Sequence, residues 1–297
     1  MKKYLPYVAG IVIALTWGFS FMFTRGMLDY LHPFHLLGLR FAIGLGTMSL
    51  LRVVRLIKIR LILNDFKYLL PLTIFQPILY FTSETMGVLL TSASYSGMMI
   101  AVIPIFVAIL SSLVLKEHPS RLQLIFIITS VAGVIFIIFL DNRSITGVNP
   151  IGTIALLGAV ISGASYSIAS RKASVRYTPV EITWVMMVVG ALVFNSLAIF
   201  NHIVNGNLNN YLWPLSELWL PLIYLGLFSS VVAFFMFNYM LSKITATQAS
   251  VFANMVTVVA IASGVGFRGE PLYWHHLVGT AAILAGVWGT NRFASKQ

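Results

Sequence analysis

Two side chains in this sequence offer chemistry from within otherwise apolar stretches, Arg40 and Glu84. Glu84 lies in "YFTSETMGVLL", residues 80–90, and Arg40 lies about six positions into an apolar run that begins near residue 34. A charge surrounded by hydrocarbon must find a counter-charge, face a hydrated cavity, or both. If one run descends from a membrane face and the other climbs towards it, both residues lie about 9 Å below that face at 1.5 Å per residue, and they can meet. Two readings follow. A permanent ion pair would lock two helices together, since removing one partner strands the other. A contact that forms and breaks would let Arg40 meet a substrate carboxylate, or let Glu84 take up and release a proton.

Around these charges the polar residues of the apolar runs are aromatic or neutral. Trp17, Tyr80, Tyr95, Trp184, Asn238, Tyr239, Gln248 and Asn254 are candidates for a cavity wall. Aromatic faces accept apolar groups and ammonium ions, and amides orient a ligand by hydrogen bonding. The alternative for each is ordinary helix packing. Pro77 and Pro104 interrupt their runs and are candidate hinges. Tyr4, Tyr7, Trp213, Trp219, Tyr273 and Trp274 lie near run ends, where aromatic belts form.

Other chemistries find little footing. There is no cysteine, which excludes disulfides and thiolate metal sites. The histidines, His32, His35, His118, His202, His275 and His276, fall almost entirely at run ends with no metal-ligand spacing, so neither a metal nor a cofactor is expected. No Gly-x-x-x-x-Gly-Lys loop is present to bind ATP. A substrate rich in phosphate would need several embedded cations, and Arg40 alone argues against sugar phosphates and nucleotides.

These residues must be held by membrane-spanning helices. The 297-residue chain is 59% hydrophobic and 9% charged, with a mean hydropathy of +0.91. Apolar runs long enough to cross a hydrocarbon core recur from end to end. Helices are expected at about 4–24, 34–52, 68–90, 94–116, 121–140, 150–171, 179–203, 215–241, 245–267 and 273–292. The first is too long, and too bulky at its end, for a cleaved leader. Asn149, Thr178 with Glu181, Ser120 with Gln123, and Thr245 with Gln248 supply capping chemistry. With the N-terminus inside, fifteen of the nineteen lysines and arginines face the cytoplasm, including Lys2, Lys3 and Lys296. Three face outward, Arg25, Arg143 and Arg268, which favours an even number of spans with both termini inside. The net charge of +11 resides in short loops suited to anionic lipid headgroups rather than nucleic acid.

An internal repeat organises the runs. Residues 92–134 align without a gap to 245–287 at an offset of 153, matching Glu117 with Glu270 and Ala132-Gly133-Val134 with Ala285-Gly286-Val287. Five helices per half invert the second copy relative to the first, as in many secondary transporters. "TWGFSF" in the first run, Pro33 followed by Arg40, "IPIFVAILSSLVLKEHPSRLQ", and "GEPLYWHHLVGTAAILAGV" near the end carry a resemblance to the EamA-type permeases of the drug/metabolite transporter superfamily. The resemblance covers nearly the whole chain. It implies a non-enzymatic carrier of small organic metabolites, often amino acids and often outward, with the fifth and tenth helices outside a central cavity. Two positions depart from the family pattern: Gly163 stands where the sixth helix usually has Trp, and Thr257 stands opposite Pro104. The expected fold class is an all-α integral membrane protein of ten transmembrane helices, two inverted five-helix repeats at 1–141 and 142–297, N-in and C-in. The expected partners are a small-molecule substrate, protons as a candidate coupling ion, and membrane lipids.

Overall fold

The computed structural model describes residues 4–91, 93–140, 149–268 and 271–294; these form helices and connecting turns with no strand among them. Lys2, Lys3, Arg143, Glu270, Lys296 and the expected junction between the halves at 141–142 lie outside the described residues. The helices are α1 Leu5–Leu28, α2 Pro33–Val53, α3 Leu63–Thr73, α4 Tyr80–Leu90, α5 Ala93–Ile100, α6 Ile103–Leu110, α7 Arg121–Leu140 and α8 Pro150–Ala173. They continue as α9 Pro179–Val204, α10 Pro214–Glu217, α11 Trp219–Ile223, α12 Ala233–Lys243, α13 Ala246–Ser250, α14 Met255–Arg268 and α15 Trp274–Arg292. Among the described residues, seven stretches are long and apolar enough to cross a bilayer: α1, α2, Tyr95–Leu115, α7, α8, α9 and Trp219–Lys243. The chain is a multi-pass membrane protein.

Local chemistry sets where the helices start. Proline occupies the first turn of α1, α2, α8 and α9, where its missing N–H costs no hydrogen bond. The Asn149 side chain accepts from Ile151 N (2.9 Å), and Ser120 accepts from Gln123 N (3.1 Å). Thr178 with Glu181 and Thr245 with Gln248 form reciprocal capping boxes.

Several runs are not continuous α-helix. Between α3 and α4 the chain winds more widely over Ile74–Leu79, and Gln76 is extended (φ −151°, ψ 118°), one residue before Pro77. A second wide stretch, Tyr224–Val232, joins α11 to α12. A turn at Ala101–Val102 separates α5 from α6, with Pro104 in the first turn of α6. Between α13 and α14, Val251–Asn254 tightens to a 3₁₀ turn although it contains no proline.

Packing follows a small set of pairs: α7 with α15, α2 with α9, α4 and α6 with α8, and α1 with α12 and α14. The α7–α15 seam is a backbone-to-backbone approach. A Cβ added to Gly286 would lie 2.6 Å from the Phe126 carbonyl oxygen, and one added to Gly279 would lie 2.8 Å from that of Gly133. Small residues permit such closeness where lipid supplies no hydrophobic drive for association. Away from the seam, Leu122, Phe139, Leu277 and Leu284 are exposed, as lipid-facing side chains should be. The interior is filled by Phe41, Tyr166, Met186, Phe194 and Phe234.

At one end of the bundle, polar groups tie the connecting segments together. Arg171 Nε donates to Glu117 Oε1 (3.0 Å), Arg171 Nη1 donates to the Leu241 carbonyl (2.8 Å), and Glu117 Oε2 accepts from Ala246 N (3.2 Å) at the start of α13. Nearby, Asp65 accepts from Arg176 Nη2 (3.2 Å) and the Tyr177 hydroxyl (3.0 Å), joining α3 to the segment after α8.

Substituting Gly286→Leu forces an isobutyl group against backbone that cannot yield, an overpacking penalty of at least about 1–3 kcal/mol. Its thermal midpoint in detergent should fall by several degrees. Gly46→Ala, where a Cβ meets nothing within 4 Å, should leave the midpoint close to wild type.

Candidate functional site

α2 begins at Pro33 and carries Arg40 two turns inward, where it is buried. Its guanidinium donates from Nε to Ser230 Oγ (2.8 Å) and from Nη2 to Ser229 Oγ (2.9 Å), and it lies 4.6 Å from the centroid of the Phe81 ring. Both serines belong to the wide stretch Tyr224–Val232. Trp17 Nε1 donates to the Ser229 carbonyl (3.2 Å), and Ser230 Oγ donates to the Leu225 carbonyl (2.8 Å). Wide turns displace carbonyls from the regular ladder, and these two side-chain bonds satisfy acceptors that lipid would leave orphaned. Two of the five guanidinium N–H groups are thereby engaged.

Glu84 is buried on α4 and accepts from the Thr85 hydroxyl at 3.3 Å. It lies within electrostatic reach of Arg40 and Tyr80 but forms no contact ion pair with Arg40. The permanent ion pair considered from the sequence is therefore not formed: the hydroxyls of Ser229 and Ser230 and the Phe81 ring occupy the guanidinium instead. Tyr80 is half-buried, edge-on to Phe81 (5.2 Å, 88°), and rests on α8 at Gly163, where a Cβ would come within 3.2 Å of its ring. Trp17 packs between Phe234 (5.5 Å) and Phe237 (5.6 Å). Arg40, Glu84, Tyr80 and Trp17 thus belong to one cluster, with Phe81, Ser229 and Ser230 as members that sequence reasoning did not single out. Adjacent hydroxyls inside "LGLFSSVVAFF" are the signal that could have found the serines.

The other candidates lie elsewhere. Asn238 is fully buried; its Oδ1 accepts from Tyr166 (2.6 Å) and Ser170 (2.7 Å), and its Nδ2 donates to Thr183 (3.0 Å). That network binds α8, α9 and α12 together. Gln248 closes the cap of α13. Asn254 donates to Ser130 Oγ (3.1 Å), and its buried Oδ1 has no hydrogen-bond partner among the described residues. The Tyr95 hydroxyl meets Thr153 (3.2 Å), and Tyr239 is half-buried against the core. Trp184 lies beside Arg52 (5.8 Å), twelve residues along α2 from Arg40 and so about 18 Å away. Pro77 and Pro104 both sit at helix breaks. Of the expected belt residues, Tyr4, Trp213, Trp219, Tyr273 and Trp274 are exposed, whereas Tyr7 turns towards Phe252 (6.3 Å). Among the described residues no cluster of histidines or acids could hold a metal.

This arrangement offers one buried cation with unused donors, a nearby carboxylate and aromatic faces. Comparison with known proteins places it in context. The EamA-like transporter family model matches residues 5–139 and 150–292. An uncharacterized transporter of Bacillus subtilis, YcxC, is 34% identical over 287 residues, covering 96% of this chain and 92% of that one. An uncharacterized transporter of Archaeoglobus fulgidus is 27% identical over 97% of this chain and 98% of its own. One solved crystal structure, at 17% sequence identity, superposes on 97% of both chains with a TM-score of 0.78, which shows a shared fold. The chain belongs to the EamA-like transporter family and is a membrane transporter, not an enzyme.

Proposed function

We propose that this transporter moves small zwitterionic metabolites, amino acids first and outward by preference, by alternating access between two inverted five-helix halves. In this reading ten helices cross the membrane and both termini face the cytoplasm. The observation that carries the substrate class is Arg40: a buried guanidinium held by two neutral hydroxyls, with three N–H groups left for a substrate carboxylate. Glu84 and the rings of Trp17 and Tyr80 suit the ammonium end.

Recurrence of the same irregularities supports the two halves. At the offset of 153 residues, Gln76-Pro77 in the first wide stretch corresponds to Ser229-Ser230 in the second. The turn at Ala101–Val102 likewise corresponds to the end of the 3₁₀ turn Val251–Asn254 and the start of α14. The packing pairs exchange in the same way: α4 on α8 becomes α12 on α1, while α7–α15 and α2–α9 map onto themselves. Discontinuous helices at matching positions are where carriers of this architecture build their sites. The Glu117–Arg171 network supports alternating access, because it joins segments of both halves at one end.

A lipid-handling role is the second reading. The lipid-facing groove between α7 and α15, about 480 Å³ and lined by Ile128, Thr129, Phe136 and Val278 among others, favours it. That groove shares no residue with the Arg40 cluster and offers no charge to a headgroup, so a lipid seat is the simpler use.

Uptake of labelled amino acids into proteoliposomes, with and without a pH gradient, tests the substrate class; absence of saturable flux for every amino acid would remove it. Arg40→Lys cannot reproduce the forked bonding and should reduce transport about tenfold or more, the worth of a charge-assisted hydrogen bond. Glu84→Gln should abolish the response to the pH gradient. Full and still pH-dependent transport by that variant would exclude Glu84 from coupling. Because the chain has no cysteine, Ala249→Cys at a buried position of α13 provides a single reporter thiol. Adding Glu117→Gln should accelerate its labelling by a water-soluble maleimide if the network closes that end.

A further inference from the structure

The opposite end of the bundle, where α2 starts and α9 finishes, holds a polar cluster that the Arg40 site does not use. His35, in the first turn of α2, and His202, in the last turn of α9, are both buried. Their rings meet edge to face with centroids 4.5 Å apart, and His202 Nε2 lies 3.0 Å from His35 Nδ1. The outer nitrogens are also occupied. His35 Nε2 lies 2.9 Å from the Tyr211 backbone carbonyl, while His202 Nδ1 lies 2.8 Å from Asn207 Oδ1 and 3.3 Å from the Asn207 backbone carbonyl.

With Asn207 Oδ1 turned towards His202, the hydrogens along this chain can be counted. A carbonyl oxygen only accepts, so His35 Nε2 must carry a hydrogen towards Tyr211. His202 Nδ1, facing two oxygens of Asn207, must carry another. The 3.0 Å contact between the rings requires a third. Two neutral imidazoles supply two. We propose that His35 and His202 form a proton-binding site, holding between them one proton more than a pair of neutral rings and clasping α2 to α9 at this mouth of the transporter.

The surroundings fit a cation. The Tyr211 ring stacks on His35 at 4.7 Å and 21°, presenting its electron-rich face, and meets His202 edge-on at 5.5 Å. The Tyr211 hydroxyl donates to Asn195 on α9, and Asn195 Nδ2 donates to the Gly38 carbonyl on α2 (3.0 Å), so the clasp is braced from both helices. The other titratable group facing the pair is His32, from the loop before α2; burial, and then the nearby His202, hold it below the ordinary histidine value, so it competes poorly for the proton. Among the described residues no carboxylate pairs with either ring. The extra proton thereby ties the segment 207–211 to the start of α2 and the end of α9.

The competing arrangement rotates the Asn207 amide so that its nitrogen donates to His202 and both rings stay neutral. Nitrogen NMR of the purified protein with ¹⁵N-labelled histidine decides between them without any substitution. The expected result at pH 7, above the ordinary histidine value of about 6.5, is one imidazole protonated on both nitrogens, absent in His202→Gln. Two singly protonated rings across pH 6 to 8 would overturn the proposal.

Discussion

Lipid supplies neither hydrogen-bond donors nor acceptors, and this constraint governs where the chain departs from regular helix. Each break described above has buried residues at its centre: Gln76 and Pro77, Ala101, Ser229 and Ser230, and Val251 with Asn254. The wide stretch Tyr224–Val232 leaves carbonyls out of the ladder, and Trp17 and Ser230 answer two of them. The same stretch presents the two hydroxyls that hold Arg40. The irregularity and the buried charge are thus one construction: the helix can widen because side chains satisfy it, and the cation can be buried because the widened helix offers hydroxyls.

Choosing hydroxyls over a carboxylate has an electrostatic meaning. A contact ion pair between Arg40 and Glu84 would cancel both charges and leave little for a ligand. Serine oxygens solvate the guanidinium without neutralising it, and Phe81 adds only a weak attraction through its face. The positive potential therefore persists in the interior, with Glu84 close enough to shape it.

The sequence made local features legible and left long-range ones hidden. Asn149, Thr178 and Thr245 were readable as caps because capping involves residues two or three positions apart. Composition alone specified a helical membrane protein, and the family was readable because its motifs are contiguous. The partners of Arg40 were not readable, since Ser229 and Ser230 are some 190 positions away and hydroxyls are common in apolar helices. Asn238 looked like a cavity residue because a string of letters does not say which way a helix faces; its amide is engaged by three neighbours. Thr257 stands opposite Pro104 and so leaves the second half without the matching proline, yet Val251–Asn254 winds tightly without one. His35 and His202 read as residues of separate run ends, and nothing local in the chain points from one to the other.

The α7–α15 seam carries a mechanical consequence. Its glycines are notches that side chains of the facing helix fill: the Phe126 ring lies over Gly289, Ile137 over Gly279 and Ser130 over Gly286. Gliding one helix along the other would lift these side chains out of their notches and onto the neighbouring turns, so the contact resists shear as well as separation. The two helices are therefore keyed together and move as one strut, a fixed frame against which the rest of the bundle can shift.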